Sequence, residues 1–242
     1  MKLIIHGAAG RMGRAVHKMI ESSPDITMLY GVDAVCPDET MVSSLSQCRE
    51  KADCVIDFSH HSATRSLMDY CVKTQTPVVV CTTAHTPEEL ALIEKAAREI
   101  PVFHSGNMSV GIALLMELAK QTAKMFPEAD IEIVETHHNQ KLDAPSGTAL
   151  MLSKAIGSVR DSENLVGRSG NGKRTKKEIG IHAVRRGSIV GIHEVIVSTP
   201  NQSITLKHEA HDRALFAEGA LTAAAWLINQ RAGLYDMKDM VK

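Results

Sequence analysis

The sequence predicts an α/β protein: a Rossmann-like parallel-sheet domain followed by an α+β domain with a mixed sheet. Three observations carry this. Short apolar runs alternate with helical patterns through the first hundred residues, the mark of a βαβ series. A glycine-rich turn follows the first apolar run. From about Ser109 the texture changes to a long helical pattern and then to strand-like runs of period two.

Taken in order, the first-half strands are expected at Leu3–His6, Thr27–Val32, Cys54–Phe58, Pro77–Cys81 and Pro101–His104, by length and β-branched content. Helical patterns lie at Arg11–Glu21, Ser62–Lys73 and Pro87–Ile100. Pro87 with Glu88 and Glu89 suits a first helical turn. The stretch from Asp33 to Asp53 is weakly patterned and holds no recognisable crossover helix. Beyond Ser109, a helix is expected over Val110–Met125 and a strand over Ile131–Thr136. A loop then runs through Pro145, and a second helix over Gly147–Val159. Asn164–Lys177 reads as an exposed loop, Ile179–Val184, Ile192–Ser198 and Ser203–His208 as strands, and Arg213–Gln230 as a closing helix. The expected domains are 1–108, completed by 213–242, and 109–212, with hinges near Ser109 and Arg213 that would let them close on substrate.

Composition narrows the function. A chain of 242 residues buries about 70% of its unfolded surface and needs no staple. A net charge of −1 gives no support for nucleic-acid binding. The basic run Lys173, Arg174, Lys176, Lys177 reads as a solvated loop. The five cysteines are odd in number and contain no Cys-x-x-Cys pair, which argues against a disulfide framework or zinc site. No signal-peptide pattern and no membrane-length apolar run is visible, so the expected setting is the cytoplasm, without a membrane partner.

Two constellations carry chemistry. The first is Gly7-Ala8-Ala9-Gly10-Arg11-Met12-Gly13, between an expected strand and helix. Gly7 permits the tight turn, Gly10 lets backbone approach a pyrophosphate, and Gly13 lets helix and strand pack closely. Asp33 closes the second strand, where an acid bonding the ribose hydroxyls belongs. The second is Thr136 to Thr148, THHNQKLDAPSGT, between a strand and a helix. His137, His138 and Lys141 supply protons and positive charge, and Ser146 with the Gly147-Thr148 amides forms a second anion-binding helix start. Adjacent His137 and His138 point apart in an extended segment and Lys141 would repel a cation, so no metal is expected.

The string His137-His138-x-x-Lys141-x-Asp143-Ala144-Pro145-Ser146-Gly147-Thr148 resembles that of the 4-hydroxy-tetrahydrodipicolinate (dihydrodipicolinate) reductases of the diaminopimelate and lysine pathway. The resemblance covers nearly the whole chain: Gly7–Gly13, Asp57-Phe58-Ser59, Ser105–Gly111, Arg185–His193, His208–Ala220 and Gly233–Met237. It implies reduction of a small cyclic dicarboxylate by NADH or NADPH in a homotetramer built through the second sheet. It implies that His138, Lys141, Gly147 and Thr148 hold the carboxylates. His137 and Lys141 become the candidate acids, Lys141 ranked first. Gly7, Gly10, Arg11, Met12, Gly13, Asp33, Phe58, Cys81, Thr83, Ser105, Asn107 and Met108 become the cofactor contacts. Four positions depart from the family: Cys81 and Ala84 replace both glycines of a Gly-Thr-Thr-Gly turn, Met108 replaces a common Phe, and Ala113 a common Asn. Two other readings compete. Another Rossmann oxidoreductase, such as an aldehyde or amino-acid dehydrogenase, would differ in a substrate panel. A non-catalytic dinucleotide sensor would need neither His137 nor Lys141, nor an anion site in the second domain.

Overall fold

The computed structural model describes residues 1–35 and 41–241. The chain divides into two compact units, Met1–Ser109 with Ala214–Met240, and Val110–Arg213.

The first unit runs β1 (Lys2–His6), α1 (Arg11–Glu21), β2 (Thr27–Val32), β3 (Met41–Val42), β4 (Cys54–Asp57), α2 (Thr64–Thr74), β5 (Val78–Val80), α3 (Pro87–Ala96) and β6 (Pro101–His104). In the second unit follow α4 (Val110–Met125), β7 (Asp130–His137), α5 (Gly147–Gly157), β8 (Glu163–Val166), β9 (Glu178–Arg185), β10 (Gly191–Thr199) and β11 (Gln202–Ala210). The chain then returns to the first unit with α6 (Ala214–Leu227), β12 (Gly233–Tyr235) and α7 (Met237–Met240).

The first sheet has the order β12-β6-β5-β4-β1-β2-β3, and its strand pairs are parallel. Parallel neighbours need crossovers, and the helices supply most of them. Alternation along the strands sends Ile4, Val55, Val78, Val80 and Val102 into one core with Leu67, Met68 and Cys71 of α2 and Ile93 of α3. On the other face α1 packs beside α6, and α6 lies against β4, β5 and β6. Burying a Leu or Ile side chain such as Leu3, Ile4 or Ile5, each fully buried, contributes about 1.5–3 kcal/mol. The second sheet is mixed, β11-β10-β7-β9-β8, antiparallel on the β11 side of β7 and parallel beyond it. Helices α4 and α5 pack together, α5 against β7 and α4 against β10 and β11. Ile131, Ile133, Ile179, Ile181, Val195 and Val197 are buried in this unit, while the alternate residues Val134, Ile192 and Ile196 are only partly covered.

Most elements lie where the pattern puts them, and the differences have physical causes. Residues 164–166, expected in a loop, pair as edge strand β8 with Ile179–Ile181. Its sequence Glu-Asn-Leu-Val is largely exposed, so no alternation announces it. Helix α3 ends at Ala96, four residues early, because Pro101 opens β6 and cannot continue a helix. Helix α6 ends at Leu227. Strands β3 and β12 are two and three residues long, too short for periodicity to register. Among the described residues no helix is long and apolar enough to cross a membrane.

Candidate functional site

In the first unit the expected cofactor residues sit where parallel strands end, the crevice side of an open α/β sheet. Gly7 follows β1 with φ 81°, and a Cβ there would lie 2.6 Å from the Phe58 backbone. A Cβ on Gly13 would collide with Gly7 O and Ala8. The turn is closed by Gly7 N–H donating to Val32 O at 2.8 Å and Gly10 N–H donating to Gly7 O at 3.1 Å. Gly10 caps α1 without a side-chain bond, so the helix start is built of backbone, as a phosphate cradle requires. Arg11 is exposed beside it and Met12 half-buried. Asp33 follows β2, and its Oδ2 accepts the Ala9 N–H at 3.0 Å.

The ends of β4 and β5 form an open groove of about 410 Å³ lined by Phe58, Ser59, His60, His61, Cys81, Thr82, Thr83 and Ala84. It brings together three of the expected contacts, Phe58, Cys81 and Thr83. Ala84, in place of a glycine, holds φ 64°, the left-handed conformation that favours Gly. Burial and then Asp57 push the Cys81 thiol up, so this cysteine is not a thiolate nucleophile. After β6, Ser105 Oγ donates to Asn107 O at 2.7 Å and Asn107 Oδ1 accepts the Ser109 N–H at 2.9 Å. Met108 is buried, with its carbonyl against Gly219.

Asp57 underlies this groove and has no role in the sequence reading beyond its place in a motif. It is buried, and its carboxylate meets His6 Nδ1 at 2.8 Å, Ser59 Oγ at 2.6 Å and Thr82 Oγ1 at 2.7 Å. Burial would raise its pKa, but these partners outweigh burial and hold the carboxyl below its ordinary range. The available signal was a charged residue closing the apolar run Cys54–Ile56.

In the second unit β7 delivers His137 at its end, and the loop to Ser146 delivers His138, Lys141 and the start of α5. His137 is buried, and His138 and Lys141 are partly exposed. Lys141 N–H donates to His138 O at 3.1 Å, and its Nζ pairs with Asp143 at 2.8 Å. Ser146 caps α5, accepting the Ala149 N–H at 3.2 Å. Gly147 opens the helix and is exposed, with open space where a Cβ would sit.

Behind these residues stands a charged framework in which Glu135 has no part in the sequence reading and Arg185 and His193 have only their places in a motif. Glu135 is fully buried one step before His137 on the same face of β7. Its Oε2 meets His137 Nδ1 at 2.6 Å and accepts Arg185 Nη1 at 2.8 Å. Its Oε1 accepts Arg185 Nη2 at 2.7 Å and the Ser146 N–H at 3.0 Å. Burial pushes Glu135 up, yet Arg185, His137 and Ser146 outweigh it and the carboxyl is held low. His137 is held below the ordinary histidine range by burial, against the raising effect of Glu135. On β10, His193 bonds Ser146 Oγ through Nε2 at 3.2 Å and meets the His137 ring edge-on at 5.1 Å. Burial, then His137, lowers it to about 4, so it is neutral at pH 7. The signal for Glu135 was the period of two in β7, which puts it beside His137.

A family model described as dihydrodipicolinate reductase, N-terminus, matches residues 1–108, and one described as dihydrodipicolinate reductase, C-terminus, matches 111–241. The chain is 48% identical to the 4-hydroxy-tetrahydrodipicolinate reductase of Caldanaerobacter subterraneus subsp. tengcongensis, over 100% of this chain and 98% of that protein. It is 42% identical to the reductase of the same name from Clostridium tetani, over 100% and 97%. Among solved structures, a dipicolinate-bound dihydrodipicolinate reductase from Paenisporosarcina sp. TG-14 superposes with a TM-score of 0.83 at 24% identity, covering 99% of each chain. An amine dehydrogenase from Mycobacterium smegmatis shares the fold at a TM-score of 0.66 and 8% identity, covering 98% of this chain and 95% of that one.

Proposed function

Because the chain belongs to the dihydrodipicolinate reductase family, we propose that it reduces 4-hydroxy-tetrahydrodipicolinate, through its dehydrated imine, to tetrahydrodipicolinate with a nicotinamide dinucleotide. The observation that carries this reading lies in the second unit. The end of β7 presents His137 and the loop after it Lys141 as proton carriers, with the start of α5 as an anion site. A sensor of dinucleotides has no use for that set.

The first unit is the dinucleotide-binding domain in this reading. The fit is physical: Gly7 and Gly13 leave no room for a Cβ, and the α1 start offers backbone N–H groups to a pyrophosphate. Gly7, Gly10, Arg11, Met12 and Gly13 would hold the pyrophosphate end and Asp33 the ribose. Phe58, Cys81, Thr83, Ser105, Asn107 and Met108 would hold the nicotinamide end. When bound, the reduced dinucleotide supplies the hydride.

The second unit binds substrate. His138, Lys141 and the Gly147-Thr148 amides take the two carboxylates, whose charge suits a helix start by about 0.3–1 kcal/mol. Loss of water from the hydroxylated ring gives a conjugated imine. Hydride addition leaves an enamine-like carbon that takes up one proton. Lys141, with three N–H donors, and His137 are the groups that carry it.

NADH serves at least as well as NADPH in this reading, because Asp33 puts a negative charge where a 2′-phosphate would lie. The open face of the second sheet, with Val134, Val184, Ile192 and Ile196 partly or largely exposed, supports assembly into a homotetramer. The cytoplasm is the setting that suits such a biosynthetic step. The test is loss of absorbance at the reduced-nicotinamide band when freshly made substrate is added. Activity with an aldehyde or amino acid in its place, and none with the cyclic dicarboxylate, would overturn the reading.

A further inference from the structure

Four donors converge on Glu135, and their chemistry assigns the proton on His137. Arg185 is always charged and gives two N–H bonds, one to each oxygen, at 2.7 and 2.8 Å. The Ser146 N–H takes Oε1 at 3.0 Å. A fully buried carboxyl with these partners is ionised, and an ionised carboxylate only accepts. The 2.6 Å contact at Oε2 is therefore donated by the Nδ1–H of His137. The neutral ring then carries its lone pair on Nε2, and the cationic ring carries a transferable proton there.

We propose that Glu135 is a positioning residue for the reduction: it fixes the proton of His137 on Nδ1, reserves Nε2 for the reacting substrate, and holds Ser146, the cap of α5, on the same carboxylate. The proposal rests on the reading that this chain reduces a dicarboxylate imine with His137 as a proton carrier. Among the described residues, four charged or titratable groups face His137: Glu135 on its own strand, Arg185 on β9, His193 on β10 and Lys141 in the following loop. Of these, Glu135 alone is an anion, so it alone favours the imidazolium against Arg185, Lys141 and burial. Arg185 extends the device by donating Nη2 to Asp143 O at 2.7 Å, which ties the substrate loop to the same anchor.

Glu135→Gln keeps the shape and removes the charge. Its single oxygen can still accept from Arg185 and Ser146, but its amide N–H₂ then faces His137 Nδ1. The neutral ring is driven to the opposite tautomer, and a protonated ring meets donor against donor.

The test compares wild-type and Glu135→Gln full-length protein for kcat and KM across pH, with saturating NADH and freshly made substrate. In parallel, ¹⁵N NMR of the wild type, with His137 assigned by its loss in His137→Asn, reads the tautomer. The expected result is a directly bonded proton on Nδ1 in the wild type. For Glu135→Gln, kcat falls at least about tenfold, as wrong-tautomer variants of general acid–base enzymes do. KM stays within about threefold because the Ser146 anchor survives, and the alkaline loss of kcat moves to lower pH. An unchanged kcat and pH profile, or an Nδ1 without its proton in the wild type, overturns the proposal. If Glu135→Gln fails to fold, the wild-type spectrum still decides. A wild type without reductase activity would instead defeat the proposed function, leaving the tautomer result to stand by itself.

Discussion

Asp33 accepts the Ala9 N–H on Oδ2 at 3.0 Å and the Val35 N–H on Oδ1 at 3.1 Å. The carboxylate thus ties the glycine loop after β1 to the end of β2, and its negative charge stands beside that loop.

From this position follows a cofactor preference. Ala34 and Val35 follow Asp33, then Cys36, Pro37, Asp38 and Glu39, which lie outside the described residues. That stretch contains no Lys or Arg to hold a 2′-phosphate, and Arg11 in the glycine loop is the nearest basic residue in the motif. NADH is expected to be used at least as well as NADPH, compared as kcat/KM at modest ionic strength because salt screens the repulsion. A tenfold or greater advantage for NADPH would show that a cation from elsewhere in the fold reaches the phosphate.

Replacing both His137 and Lys141 is expected to cut turnover by about 10²–10⁴-fold, the usual worth of general acid help. Dinucleotide binding, followed by fluorescence of the reduced cofactor, should persist, because both residues lie in the second unit and the glycine loop in the first. More than a tenth of the normal rate in the double variant would remove them from the chemistry.

Planar pyridine-2,6-dicarboxylate should compete with substrate, and a pyridine monocarboxylate should bind much more weakly. The second compound leaves one of the cationic or amide groups around His138, Lys141 and Gly147 unpaired, a loss of about 1–3 kcal/mol. Equal inhibition constants for the two compounds would count against dicarboxylate recognition.

Light scattering at micromolar concentration should give four times the chain mass of 26.3 kDa. The reason is the sheet face carrying Val134, Ile192 and Ile196, with β11 as an edge strand; such edges need cover. A mass of one chain refutes it.

Asp57 should make stability depend on acid. Its folded pKa is lowered from its ordinary value near 3.8, so its contribution is fully present above that value and is lost as pH falls through the lower folded value. Denaturant unfolding should show Asp57→Asn destabilised by about 1–3 kcal/mol at pH 7, with the difference shrinking towards pH 2. A constant difference over that range would mean that the charge is not what His6, Ser59 and Thr82 stabilise.

Much of the molecule was legible before folding. Each cofactor contact named from the sequence lies in a segment following a parallel strand, because chemistry at the end of a strand leaves a local mark: an apolar run, then Gly, Asp or Ser. The loop from His137 to Thr148 was legible for the same reason, as a dense polar string between two periodic segments. Strand β8 was not, since an exposed edge strand needs only backbone pairing with β9 and no pattern of side chains.

The α/β class, the glycine loop and the nearness of His137 and Lys141 to a helix start are readable from neighbours within a few residues. What holds them comes from contacts distant in sequence. Glu135 is two residues from His137, but its partner Arg185 is fifty residues away on β9, and His193 reaches Ser146 across forty-seven residues from β10. Asp57 likewise meets His6 of β1 and Thr82, which follows β5. A buried charge is stable only where enough donors converge on it, and convergence is set by strand order and register, which no local pattern encodes.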